Sequence, residues 1–201
     1  MDLAFLASNN GSSLRAIVAA IRAGELTASP RLVVSNRRAA PALEFALSEG
    51  IEARFIPTVP DPEIADTRLA DALTESGANL VVLSGYLRKL GPRTLAAFQG
   101  RILNIHPALL PEFGGQGMYG RRVHEAVLGA GAPFTGATVH LVDEAYDHGP
   151  VIAQQRLAVR AGETVESLEA RVMAMEPKLF VETLQRIANG SLSLEAVREG
   201  Q

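Results

Sequence analysis

The sequence contains no cysteine. Disulfides, thiolate nucleophiles and cysteine-ligated zinc or iron–sulfur centres are thereby excluded. Positive charge is not in excess either. The formal net charge is −3 and the isoelectric point about 5.8, which argues against binding nucleic acid through bulk electrostatics. A small anionic substrate needs only a local site and stays open. No apolar window approaches membrane-spanning length without charges. The apolar run near the start, MDLAFLASNNGSSLRAI, is short and has no basic stretch before it. It reads as a first strand, so the expectation is a cytoplasmic protein without a membrane partner. The loop SNNGSSL after the first apolar run follows neither GxxxxGK[ST] nor GxGxxG, which leaves ATP and NAD poorly supported. GxSxG is missing, so no serine elbow is evident. HExxH and comparable spacings are missing too, and no metal is expected. No repeat or low-complexity tract divides the chain.

What is present is ordinary for a globular domain. The 201 residues are 47% hydrophobic and 20% charged, ample for one domain with a sizeable core. Short β-rich runs alternate with helical patterns. Strands are predicted at Leu3–Ala7, Arg31–Ser35, Ala53–Ile56, Asn79–Leu83 and Ile102–Asn104, with helices at Leu14–Ala23, Ala42–Ser48, Ile64–Ser76 and Pro92–Phe98. This rhythm predicts an α/β fold: a doubly wound, mostly parallel sheet with helices on both faces. The pattern changes after Asn104. A Pro/Gly-rich loop covers Pro107–Gly120, then come a helix at Arg122–Leu128, strands at Ala137–Leu141 and Val151–Val159, and a last helix from Thr164 to Ala188. The later strands could be antiparallel.

Two segments invite chemistry. SNNGSSL, Ser8–Leu14, lies between the first strand and the first helix. Ligands of open parallel sheets bind beyond the carboxyl ends of strands. A helix N-terminus there offers free N–H groups to a phosphate, with Gly11 allowing close approach and Ser12 and Ser13 adding hydroxyls. Ser and Asn are also good helix caps, and the loop alone does not choose between the two readings. The other segment is RILNIHPALLPEFGG, where Asn104 and His106 stand at the end of an apolar run. His106 is either a satisfied strand-end histidine or a working one. His124 falls in a helical stretch and reads as a surface or packing residue, and His140 could point either way. The loop VDEAYDHGP carries Asp143, Glu144 and Asp147. The first two read as turn residues. Asp147 precedes a sharp His-Gly-Pro turn, where a carboxylate can orient a histidine and favour its charged form. Asn, His and Asp together suit carbonyl chemistry: an amide N–H and an imidazolium stabilise an oxyanion while a carboxylate moves protons. The nucleophile would then come from a substrate or from water.

With NIHPALLP, GATVHLVDEAYDHGPVIAQ and SNNGSSL in view, the chain resembles the glycinamide ribonucleotide formyltransferases, within the wider family of formyltetrahydrofolate-using enzymes. The similarity runs from Leu3 to about Leu184. It implies a Rossmann-like formyltransferase fold and transfer of a formyl group from 10-formyltetrahydrofolate, a co-substrate, to the amine of glycinamide ribonucleotide in purine biosynthesis. No metal is implied. The implied catalytic residues are Asn104, His106 and Asp147, with His106 protonated and oriented by Asp147. The implied phosphate and ribonucleotide contacts are Asn10, Gly11, Ser12, Ser13, Pro107 and Glu176. The implied folate pocket uses Leu87, Arg88 and Leu90 of SGYLRKL, with His140, Val142, Asp143 and Glu144. The expected organisation is a single domain over 1–201. Its first half, 1–100, would bind phosphate and ribonucleotide, and its second, 101–201, would carry the catalytic and folate-binding residues. The protein would be a monomer or homodimer with small-molecule partners only.

Departures from the family pattern are local. FGGQGMYGRRVHEAV differs from the shorter form in some members, and Pro177 and Val181 stand where members often carry His and Pro after the late glutamate. Formyltetrahydrofolate hydrolases share the polar trio but carry an extra N-terminal domain, and methionyl-tRNA formyltransferases carry an extra C-terminal one and a basic surface. Sugar-nucleotide formyltransferases are usually longer. A non-catalytic nucleotide-binding module would have no need of Asn104 and Asp147 beside His106.

Overall fold

A computed structural model describes residues 1–199; Gly200 and Gln201, the end of the expected domain, lie outside the described residues. In chain order the elements are β1 (Asp2–Leu6), α1 (Ser12–Arg22), β2 (Ser29–Ser35), α2 (Pro41–Ser48), β3 (Glu52–Phe55), α3 (Pro62–Glu75), β4 (Leu80–Leu83), α4 (Pro92–Ala97), β5 (Ile102–His106), α5 (Arg121–Gly129), β6 (Phe134–Leu141), β7 (Val151–Ala158), α6 (Val165–Ala188) and α7 (Leu194–Glu199). The strands form a seven-stranded sheet in the order β3-β2-β1-β4-β5-β6-β7. The β3–β2, β2–β1, β1–β4 and β4–β5 pairs are parallel, and β6–β7 is antiparallel. This is the doubly wound, mostly parallel α/β arrangement that the alternating pattern predicts. By their contacts the described residues fall into two compact units, 1–103 and from Asn104 onward.

In the first unit, β1 and β4 read LAFL and LVVL over their inner residues and are buried throughout. Unbroken apolar runs of this kind belong to strands covered on both faces. Helix α1 turns Leu14, Ile17 and Val18 to the core, the i, i+3, i+4 spacing of an amphipathic helix. Proline opens α2, α3 and α4, where its missing N–H costs nothing. Helix α4 has an unusual cap. The carboxylate of Asp66, on α3, accepts the N–H groups of Arg93 and Thr94 at 2.8 and 3.1 Å and the Thr94 hydroxyl at 2.6 Å.

In the second unit, β6 is buried along seven of its eight residues and β7 is mostly exposed. Their register shifts between Val139 and His140, an irregularity of the kind that re-aims a side chain beside a site. Val127, Leu168 and Val172 form a core between α5 and α6, joined by Phe113 from the loop before α5. Helix α6 is capped by the Thr164 hydroxyl, which accepts the Ser167 N–H at 3.2 Å.

Most bounds differ from the sequence reading by a residue or two, and three differences stand out. Strand β5 continues to His106 instead of stopping at Asn104, because the backbone stays in the sheet after the apolar side chains end. Strand β6 starts at Phe134 instead of Ala137, taking in Thr135 and Gly136. The short helix α7, LEAVRE, is too brief and polar to give a periodic signal.

Candidate active site

Because β5 runs through His106, Asn104 and His106 lie two residues apart on one strand and their side chains leave the same face. Asp147 comes to them from the loop after β6. Its φ is +55°, a left-handed conformation that Asp tolerates better than most residues. One carboxylate oxygen, Oδ2, lies 3.4 Å from His106 Nδ1 and the other, Oδ1, 3.6 Å from His140 Nε2. Oδ2 also accepts the Gly115 N–H at 3.0 Å. A single carboxylate thus faces two imidazoles, each 3% exposed at the side chain.

Backbone carbonyls fix which ring nitrogens carry protons, since a carbonyl only accepts. His140 Nδ1–H donates to the Leu141 carbonyl at 2.9 Å. Its neutral form therefore has a lone pair on Nε2, and that lone pair accepts the Asn104 Nδ2–H at 3.1 Å. His106 Nε2–H donates to the Phe113 carbonyl at 2.8 Å, which leaves Nδ1 facing Asp147. Phe113 itself has φ +55° with its ring in the α5–α6 core, so apolar packing holds the carbonyl against the imidazole.

Burial pulls the His106 pKa below its ordinary value, against the opposing pull of the Asp147 charge and the Phe113 carbonyl. His140 is lowered too, chiefly by burial; the Leu141 carbonyl, Asp147 and Asp143 oppose this, and His106 adds to it. Both rings accordingly resist protonation in the folded chain, whereas the sequence reading expects a charged His106. His124, read as a surface or packing residue, is 1% exposed on α5 and its Nδ1 has no hydrogen-bond partner. Burial lowers its pKa, Glu169 raises it and His106 lowers it further. Of the two readings the sequence left open for His124, the structure takes the packing one. Among the described residues no group of three or more histidine or carboxylate side chains could hold a metal ion.

The remaining expected residues lie at the start of α1, after β4, after β5, after β6 and on α6. At the start of α1, Gly11 takes a left-handed turn with φ +68° and offers no side-chain cap. The N–H groups of Ser12 and Ser13, in the first turn, have no acceptor within the helix. Asn10 and Ser12 are exposed and Ser13 is buried. In the segment after β4, Leu87 and Arg88 are exposed and Leu90 is buried. Burial pushes the neighbouring Tyr86 phenol up to about 12, with Arg88 lowering and Asp66 raising it. In the loop after β6, Asp143 Oδ1 accepts the Ala145 N–H at 2.9 Å and Oδ2 lies 3.3 Å from His148 Nδ1. Glu144 is exposed, while Val142 and Pro107 are half-buried. Glu176, half-buried on α6 one residue before Pro177, has its pKa raised to about 7 by burial.

The formyl transferase family matches residues 1–184. The chloroplastic phosphoribosylglycinamide formyltransferase of Arabidopsis thaliana is 40% identical, over 92% of this chain and 64% of that protein. The chain thus spans less than two thirds of that plant relative's length. The phosphoribosylglycinamide formyltransferase of Escherichia coli is 33% identical, over 96% of this chain and 90% of that protein. The crystal structure of glycinamide ribonucleotide transformylase 1 from Symbiobacterium toebii superposes with a TM-score of 0.89 at 36% identity, covering 98% of this chain and 92% of that one. Sequence, relatives and fold agree: the chain belongs to the formyl transferase family, among its phosphoribosylglycinamide formyltransferases.

Proposed function

We propose that the protein transfers the formyl group of 10-formyltetrahydrofolate to the amine of glycinamide ribonucleotide, in purine biosynthesis. The observation that carries the reading is the cluster of Asn104, His106, His140 and Asp147. It offers donors for an oxyanion and a carboxylate for protons, with no cysteine in the chain to act as nucleophile. The attacking group then comes from a substrate or from water, and an uncharged substrate amine fits.

The amine nitrogen attacks the formyl carbon, a C–N bond forms, and the carbonyl electron pair moves onto oxygen. Asn104 keeps one amide hydrogen beyond the one given to His140, and that hydrogen donates to the oxyanion. His106 is the second donor, and the oxyanion competes with the Phe113 carbonyl for its Nε2–H. Burial disfavours an imidazolium in the structure as it stands, so His106 serves as a neutral Nε2–H donor to the oxyanion and takes up no further proton. Asp147 accepts the proton released by the attacking nitrogen, directly or through water, and returns it to the leaving N10 as the old C–N bond breaks. Protons and electrons balance without an external acid or base.

The ribonucleotide phosphate is assigned to Asn10–Ser13, where open N–H groups and the helix dipole favour an anion. Pro107 and Glu176 are assigned to the rest of the nucleotide. The folate is assigned to Leu87, Arg88 and Leu90 and to His140, Val142, Asp143 and Glu144. The chain acts as one catalytic domain, as monomer or homodimer, in the cytoplasm; among the described residues no helix is long and apolar enough to cross a membrane. The test is absorbance of deformylated folate with purified protein and 10-formyltetrahydrofolate, with and without glycinamide ribonucleotide. Turnover only with the ribonucleotide is expected, and Asp147→Asn should nearly abolish it. Equal turnover without the ribonucleotide would make water the nucleophile and the protein a hydrolase.

A further inference from the structure

Two buried serines join the loop after β1 to the segment after β4. Ser8 is 1% exposed and Ser84 is 2% exposed. Ser8 N–H donates to the Gly85 carbonyl at 3.1 Å, and Leu87 N–H returns to Ser8 Oγ at 2.8 Å. The Ser8 hydroxyl spends its own proton on Asn36 Oδ1, 2.6 Å away at the end of β2. The one proton of this hydroxyl is therefore committed inside the protein, and it has none to offer a ligand. Ser84 closes the same link from the other side. Its Oγ accepts the Leu14 N–H at 3.0 Å, one of the first-turn donors of α1 that no helix carbonyl reaches. Gly11, at the cap position, has no side chain to do this, so a residue seventy positions away caps the helix. The first-turn donors of Ser12 and Ser13 stay open, and both are among those assigned to phosphate. The segment held by Ser8 and Ser84 is the one assigned to folate.

We infer that Ser8 and Ser84 are positioning residues that couple the two substrate sites of this unit. A phosphate on Asn10–Ser13 fixes the loop that carries Ser8. Ser8 in turn fixes the Leu87 N–H and the path of Leu87–Leu90, preparing it for the folate. Coupling of this kind is reciprocal: the folate tightens the phosphate-bearing ligand by the same factor. The inference rests on the assignments made under Proposed function.

The experiment is titration calorimetry on the full chain with two non-reacting probes. Glycinamide ribonucleotide and tetrahydrofolate are each titrated alone, then each in the presence of the other at saturation. In the wild type the second ligand is expected to bind about fivefold tighter or more, the lower end of ordinary coupling. In Ser8→Ala both ligands still bind but the factor falls to near one. Ser8→Thr keeps a hydroxyl and restores it, which general loosening of the fold would not produce. Wild-type binding without coupling, or Ser8→Ala with coupling undiminished, overturns the inference. If Ser8→Ala does not fold, Ser84→Ala decides by the same ratio, since it removes only the Leu14 link. Failure of the wild type to bind either probe alone instead refutes the substrate assignment, and this inference falls with it.

Discussion

In the proposed reaction Asn104 works through the amide hydrogen that His140 leaves it. His140 takes one amide hydrogen on Nε2 and in doing so holds the amide plane still. Truncation to alanine removes an oriented donor, and losing one such donor costs roughly a hundred- to a thousandfold in kcat. Asn104 is only half-buried, so Asn104→Ala should melt within a few degrees of the wild type. Steady-state kinetics and a thermal melt on the same preparation check both halves. A kcat within tenfold of the wild type would remove Asn104 from the oxyanion site. At this scale the sequence was partly readable. Asn104, His106 and Asp147 stand in motifs that announce carbonyl chemistry, and the fold brings their side chains together. The service of His140 to Asn104 was not readable. The partners are 36 residues apart, and a register shift that no local pattern reveals sets the ring's direction. The neutral preference of His106 also escaped, because burial is a property of the packed loop that carries Phe113.

Elements were easier to read than their joints. Each helix and strand of the first unit announces itself by period, proline and glycine, and the observed bounds differ by a residue or two. Asp66 is the counterexample. Carboxylates inside a helix are mostly solvated, yet Asp66 is 8% exposed and caps α4. Gly91 makes room for it. A Cβ there would lie 2.3 Å from Asp66 Cγ, while its own φ of −84° is open to any residue, so the glycine serves close approach and not backbone conformation. Asp66→Ala leaves two N–H groups without their acceptor and the Thr94 hydroxyl with only the residue-66 carbonyl, 3.4 Å away, and should cost about 2 kcal/mol. Gly91→Ala pushes the same carboxylate away and should cost a similar amount. Because both changes break one joint, the double variant should cost little more than the worse single one. Urea unfolding of all four proteins measures this. Simple additivity would mean that Gly91 and Asp66 act on separate contacts.

For the whole molecule, ionisable groups pull the pH dependence of stability in opposite directions. His106, His140 and His124 have pKa values lowered by burial. Above the unfolded value near 6.5 they are neutral in both states and impose no penalty. As pH falls below that, the unfolded chain takes up protons that the fold refuses, and stability is lost. Glu163 adds to this at lower pH. Burial raises its pKa, but the Arg160 N–H, Arg171 and Ser167 outweigh that and leave it below the usual carboxylate value. Its contribution is present above about 4.5 and drains away under more acid conditions. Glu176 works the other way. With a pKa raised to about 7, it is protonated in both states in acid. Between about 4.5 and 7 the unfolded chain ionises first, so the fold loses stability as pH rises. Three histidines against one glutamate set the balance, and the melting temperature should climb from pH 5 to pH 7.5. The isoelectric point near 5.8 should not mark the maximum. Glu176→Gln removes the opposing group, so its melting temperature should match the wild type near pH 4.5 and exceed it at pH 8. Circular-dichroism melts of both proteins across that range decide the matter. A difference that stays constant with pH would mean that Glu176 ionises alike in the folded and unfolded chains. An ionised carboxyl already at neutral pH would then be ready to meet a substrate cation without giving up a proton.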